Sequence, residues 1–319
     1  MSLILLLGVL NAQAGSGPPA PLAGYFAGGF SSAGRTTTID KFAFPTDVRT
    51  TLASGLPSAT NQSSSFSDAL VAGYTAGGYT SGVTSTVVKT NYFTDASANL
   101  GTGLSQGSTE GGAISNSTVA GYFAGGFNGA FSLQNFMDKF SFPSDSRSTL
   151  GTALTGARAA MGTFSNSGVA GYFAGGMSTS GMAANTLTTV EKRAFPSDSR
   201  STLGTGLATS RRDNTGMSNS GTAGYTAGGY NGSSGTTSVE KFAFPSESRS
   251  ALGTGLSLDV LSAGGLANTG TAGYVAGGIT NVNQAGVDKF AFPSDSRSTL
   301  GTGLSVARRE LVGFSSENV

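Results

Sequence analysis

"AGYFAGGF" occupies Ala120–Phe127, and the chain writes nearly the same phrase five more times. It stands unchanged at Ala23, as "AGYFAGGM" at Ala170, as "AGYTAGGY" at Ala72 and Ala223, and as "AGYVAGGI" at Ala272. The Gly of each Gly-Tyr pair falls at Gly24, Gly73, Gly121, Gly171, Gly224 and Gly273, with spacings of 49, 48, 50, 53 and 49. A period near fifty over six copies marks a repeat array.

Within each copy the order holds. Gly-Tyr-x-x-Gly-Gly is a short apolar run stopped by paired glycines, which suit a sharp strand exit. A Ser/Thr/Gly/Asn-rich loop of variable length follows. Then comes a segment such as "VEKFAFPSESRS" from Val239, which alternates until Pro245 ends it, because Pro cannot donate to a sheet ladder. "STLGTGL" reads as a third strand and "MGTFSNS" as a fourth. No stretch shows a helical period. Four short strands per unit is the pattern of a propeller blade.

The two ends test the closure. The chain stops at "FSSENV" (Phe314–Val319), whereas inside it "FSNSGV" (Phe164–Val169) runs straight into "AGYFAGG". The C-terminus therefore carries the strand that the first Gly-Tyr lacks. The expected fold is all-β: a six-bladed propeller over residues 23–319, with four-stranded blades and a ring closed by the C-terminal strand joining the first blade. A linear solenoid would need distinct polar caps instead.

Composition narrows the function. Glycine numbers 50, charged residues make up 11%, and the net charge is +1, with no basic excess of the kind nucleic acid attracts. There is no Cys and no His. Thiolate sites, most zinc sites and Ser-His chemistry are thereby excluded. The expectation is a protein that is not an enzyme and carries no cofactor or metal. The lone carboxylates Asp68, Glu110, Asp213 and Asp259 are the residues that would overturn it, since a glycosidase needs only two.

The repeats resemble the kelch family, whose units place an Arg near the inner strand, then a strand ending in Gly-Gly, then an aromatic after an acidic residue. Arg158, Gly171-Tyr172, Gly175-Gly176, Glu191 and Phe195 follow that order, as do Arg211, Gly224-Tyr225, Gly228-Gly229, Glu240 and Phe242. One departure is plain: kelch units usually carry an outer-strand Trp, and this chain has none, with leucines such as Leu203 and Leu207 in that region. The wording "KFAFPSDSRSTLGTGLS" also resembles kelch-type proteins of tailed bacteriophages, those of marine cyanobacteria above all. That resemblance implies a virion component.

Charges recur with the repeat. The six lysines, Lys41, Lys89, Lys139, Lys192, Lys241 and Lys289, hold one position, and Asp47, Asp95, Asp145, Asp198, Glu247 and Asp295 hold another six residues on. Arg follows at 49, 147, 200, 249 and 297. Such periodicity reads as structure: Asp-x-Arg fixing a turn, Lys tying one blade to the next. The second blade diverges, with Thr90, Asn91, Phe93 and Ser97 in place of Phe, Ala, Pro and Arg.

Recognition is expected on loops instead. The kelch resemblance puts the loop after Gly-Gly and the loop entering the inner strand on one face. Arg35, Arg158, Arg211, Arg212, Arg308 and Arg309 lie in these segments, and Arg forks suit carboxylate or sulfate groups, as on an acidic glycan or protein. One Arg of each pair is equally readable as the structural kelch Arg.

Residues 1–22 precede the repeats. The apolar run Leu3, Ile4, Leu5, Leu6, Leu7, Val9 and Leu10 is too short to span a bilayer. As an anchor followed by a Gly/Pro linker it would bind other virion proteins, leaving a loop face for structure or for a host surface glycan or protein. As a signal peptide, with Ala12-Gln13-Ala14 as its cleavage site, it points to a secreted or cell-surface binding propeller.

Overall fold

The computed structural model describes residues 22–179 and 185–317. Six four-stranded antiparallel sheets form the ring. From the axis outward, the third blade runs Gly112–Asn116, Ala120–Ala124, Met137–Ser141 and Ser146–Thr149, and blades two, four, five and six repeat that order. Blade one is assembled from both ends of the chain. Its innermost strand is Val312–Ser315, paired with Ala23–Ala27 in the register Gly24↔Ser315 and Ala27↔Val312. Ile39–Ala43 and Val48–Thr51 complete it. The ring is closed as the sequence predicts. The apolar run Leu3–Leu10 and residues 180–184 of the loop Met177–Thr189 of blade four lie outside the described residues.

The reason for the repeated Gly-Tyr is contact between blades. A Cβ on Gly73, Gly121 or Gly224 would enter the ring of Phe314, Phe66 or Phe164, which stands on the innermost strand of the preceding blade. Leu266, Ile114 and Met217 fill the same place against Gly24, Gly171 and Gly273. Each Gly-Gly has positive φ at both residues. The N–H of its second Gly donates to a carbonyl on the crossing to the next blade, as Gly126 does to Arg158 (2.9 Å).

The six tyrosines at 25, 74, 122, 172, 225 and 274 are buried. Each hydroxyl donates to the turn acid of the following blade, as Tyr122 does to Asp198 at 2.7 Å. Each repeat lysine reaches that same acid, and Lys289 closes the circle on Asp47. The lysines therefore tie blade to blade.

Three details differ from the sequence reading. The outermost strand is "SRST" (Ser146–Thr149) rather than "STLGTGL"; the stretch after it, "LGTAL" in this blade, bends and buries its last leucine, Leu154. The Arg of Asp-x-Arg does not pair with that Asp. Arg49, Arg147, Arg249 and Arg297 reach Asp40, Asp138, Glu240 and Asp288 on the neighbouring strand, because the Asp is already held by Lys and Tyr. The turn acid contributes through its left-handed backbone instead, with φ of 53–58° in all six copies. In blade two the pattern changes as a set. Val88 replaces the strand acid, and Thr90 and Ser97 share a hydroxyl hydrogen bond of 2.9 Å where blades one, three, five and six pair Phe with Arg and blade four pairs Arg193 with Arg200.

Candidate functional site

On the Gly-Gly face, six residues take one conformation around the axis. Gln62, Glu110, Ala160, Asp213, Ser262 and Glu310 have φ of 53–57°. Their backbones close a ring of hydrogen bonds: Glu110 N–H to Gln62 O (2.8 Å), Ala160 to Glu110 (2.8 Å), Asp213 to Ala160 (2.9 Å), Ser262 to Asp213 (2.9 Å), Glu310 to Ser262 (2.7 Å), and Gln62 to Glu310 (3.0 Å). This collar frames the mouth of the central channel, and all six residues line it. The channel's free volume is about 180 Å³. That is below the ~300 Å³ of ordinary small-molecule pockets, so a ligand larger than a few waters would rest on the mouth rather than enter the shaft.

The collar side chains are unlike one another. Gln62 Nε2 donates to Glu110 Oε1, Asn61 Nδ2 donates to Glu310 Oε2, and Arg212 donates to Asp213 at 2.7 Å. Arg309 Nε donates to Glu310 at 3.1 Å. Burial, aided by the charges of Asp213 and Glu310, pushes the Glu110 carboxyl up to about 8. Burial likewise pushes Asp213 up to about 6, against the pull of Arg212. Of the lone carboxylates noted in the sequence, the structure brings Glu110 and Asp213 to this mouth. Asp68 lies at the opposite end of an inner strand, and Asp259 is exposed on a connection between blades. Among the described residues no group of three or more acidic side chains is arranged to hold a metal ion.

Around the collar runs a second tier of cations on aromatic faces. Arg212 stacks over Tyr230 (5.0 Å to the ring centroid) and Arg309 over Phe30 (4.9 Å). Arg35 stacks over Tyr79 (4.4 Å), with Phe30 at 5.9 Å and its Nε donating to Asn61 at 2.8 Å. A two-stranded hairpin, Phe30–Ser31 with Gly34–Arg35, carries Arg35 to this position.

The six arginines singled out in the sequence therefore divide. Arg35, Arg212 and Arg309 stand at the mouth. Arg158, Arg211 and Arg308 are at most 2% exposed and pair with Glu191, Glu240 and Asp40 of the following blade, so they are interior braces, not recognition groups. Burial opposes ionisation of Asp40, yet the Ser305 N–H and the Arg308 guanidinium outweigh it and hold the carboxyl below its usual range. Removing either partner of such a pair would leave a charge stranded in the interior.

The collar as a unit is absent from the sequence reading. Its signal is positional: the five members at 62, 110, 160, 213 and 262 each stand eleven residues before the Gly of Gly-Tyr, with no shared letter to reveal them.

No family model matches the chain, and no curated protein matches it. The solved structure of YjhT is similar to it with a TM-score of 0.69 and 15% identity, over 90% of this chain and 99% of that one. At that identity the likeness establishes the fold alone: this chain is a six-bladed antiparallel β-propeller related in fold to YjhT.

Proposed function

We propose that the chain is a non-enzymatic binding propeller that holds a hydroxyl-rich ligand, such as a surface glycan, on the mouth of its Gly-Gly face. The collar carries this reading: a six-fold backbone presents an amide, three carboxyls and a hydroxyl toward one axis. Repeated blade contacts need no such variety, whereas a ligand with several distinct polar groups does. Sugar hydroxyls both donate and accept, which suits a mixture of carboxyl, carboxamide and guanidinium groups. The mouth is also close to charge balance: Glu110 is held toward its neutral form, and Arg35, Arg212 and Arg309 stand near Asp213 and Glu310. A neutral ligand therefore fits better than the acidic one suggested by the arginines alone.

Of the two settings open from the sequence, the secreted or cell-surface one asks only for this ligand face. The virion setting also asks for a second protein that grips residues 1–14, and nothing among the described residues supplies a reason for one. Screening the full chain on a glycan array tests the proposal. A bound glycan lost in Gln62→Ala and in Asp213→Ala, with melting unchanged, is the expected result. Binding indifferent to both changes, or none at all, contradicts it. One observation favours a second reading. Glu110, pushed toward its neutral form and one collar position removed from Asp213, whose charge it feels, resembles the pairing of an acid with a carboxylate that glycoside hydrolysis uses. Turnover of the bound glycan that disappears in Glu110→Gln would replace binding by catalysis.

A further inference from the structure

The Gly-Gly face leaves one large aromatic open to solvent. Phe131 stands near the tip of the loop Phe127–Leu133 of blade three, 63% exposed, with φ of +55°. The left-handed region disfavours a bulky side chain, and a glycine would occupy it freely. Exposing the ring to water regains nothing. The loop does not need the ring either. Asn128 shapes it: its Oδ1 accepts the N–H groups of Ala130 and Ser132, both at 3.0 Å, and its own N–H donates to Ser132 O at 3.0 Å. Blade five builds the same device on Asn231, whose Oδ1 accepts from the N–H groups of Ser233 (2.9 Å) and Ser234 (3.0 Å) and whose N–H donates to Ser234 O (3.0 Å). That loop carries only Gly232, Ser233 and Ser234, with Gly232 at positive φ. The two loops share a framework and differ in what they present. A strained, exposed aromatic on a pinned loop is expected where a ligand meets it.

The loop is rooted on the collar. Phe127 exchanges backbone hydrogen bonds of 2.8 and 3.0 Å with Thr109, which precedes Glu110. Phe127 also bridges to Leu133, two residues beyond Phe131. Two ladder spacings and three residue steps put the Phe131 Cα at most about 22 Å from that of Glu110. The root is firm, because Phe127 and Met177 bury one another with Ala160, itself a collar member. Phe131 is not among the residues that line the mouth. A ligand that touches both must run outward from the axis over blade three.

We propose that Phe131 is the platform of a second sugar subsite, so that the ligand is an oligosaccharide extending from the collar over blade three. This rests on the glycan reading of the mouth. A pyranose offers two chemistries: hydroxyls along its edge and C–H groups on its faces. The hydroxyls suit the carboxyls and carboxamide of the collar. The C–H groups are weakly positive and match the negative face of an aromatic ring. A loop already pinned by Asn128 presents that face with little ordering cost on binding. A single sugar on the collar leaves Phe131 uncovered, which sets the ligand at two or more sugar units.

The test uses the full chain, the immobilised oligosaccharides of a glycan array and, in solution, the monosaccharide units of any that binds. Phe131→Gly is expected to weaken the oligosaccharide about tenfold and to leave its collar-bound monosaccharide unit unaffected. The same variant is expected to raise the melting temperature, because it removes the strained backbone, so the loss is not unfolding. Phe131→Trp keeps a ring face and is expected to keep the affinity. Its indole is the only one in a chain without Trp, and its emission is expected to shift to the blue when the oligosaccharide binds. Val282→Ala removes an equally exposed apolar side chain, without a ring face, from the corresponding loop of blade six and is expected to change nothing. An oligosaccharide lost in Gln62→Ala and Asp213→Ala but bound unchanged by Phe131→Gly would overturn the platform and leave the collar reading standing. An equal loss in Val282→Ala, or a Phe131→Trp emission indifferent to the oligosaccharide, would also overturn the platform. No glycan bound by the full chain would overturn both.

Discussion

The blade contacts and the collar use the same six-fold backbone in opposite ways. Between blades, a Tyr hydroxyl, a Lys ammonium and a turn acid recur six times with little change. At the collar the backbone angle recurs six times while five different residue types occupy it. A contact that joins one blade to the next must satisfy the same demand at every interface, so its letters repeat. A surface that meets one ligand has no such obligation. Repetition thus marks what holds the ring, and variation within a fixed backbone marks what the ring offers.

This contrast can be broken most forcefully at the closure. Deleting residues 306–319 removes the innermost strand of blade one together with Arg308 and one sixth of the collar. It is expected to abolish cooperative melting; a truncated chain with unchanged melting and compactness would show that the ring does not depend on its closing strand. Arg308→Ala comes next. It strands Asp40 in the interior, and a loss of about 3–5 kcal/mol in urea unfolding is expected. Gly121→Ala drives a methyl into the Phe66 ring and is expected to cost about 1–3 kcal/mol, against almost nothing for Gly151→Ala, where a Cβ meets no atom within 4 Å. Lys139→Ala, at a partly exposed pair, should cost no more than about 1 kcal/mol.

The closure, the blade count and the role of the lysines were legible because the contacts that make them repeat in letters as well as in space. The arginines were half legible. Arg211 and Arg212 are adjacent, so an extended backbone sends one inward to Glu240 and the other outward over Tyr230, and the letters alone do not say which. The purpose of the Gly in Gly-Tyr was hidden for another reason. The ring it accommodates belongs to a different blade, roughly one period earlier in the chain, or for Gly73 at the far end of it. The collar was harder still, since what its members share is a left-handed φ and a fixed offset.

Acidity gives a smaller, more selective probe of the collar. The Glu110 carboxyl, raised to about 8 from an ordinary value of 4.5, favours the native state while it is neutral. Native stability is therefore expected to fall as pH rises from about 4.5 through 8, by roughly 1–3 kcal/mol. Glu110→Gln should flatten that slope and leave the protein more stable above pH 8. An unchanged slope would mean that Glu110 ionises as freely in the native state as in the unfolded one.

The most direct test sets the two kinds of position against each other in one binding experiment. The full chain, the collar variant Gln62→Ala/Asp213→Ala and the blade-contact variant Lys139→Ala are compared on the same glycan array at equal folded concentration. The account predicts a ligand bound by the full chain and by Lys139→Ala and lost, at least tenfold, by the collar variant. Equal binding by all three, or a loss confined to Lys139→Ala, would contradict it.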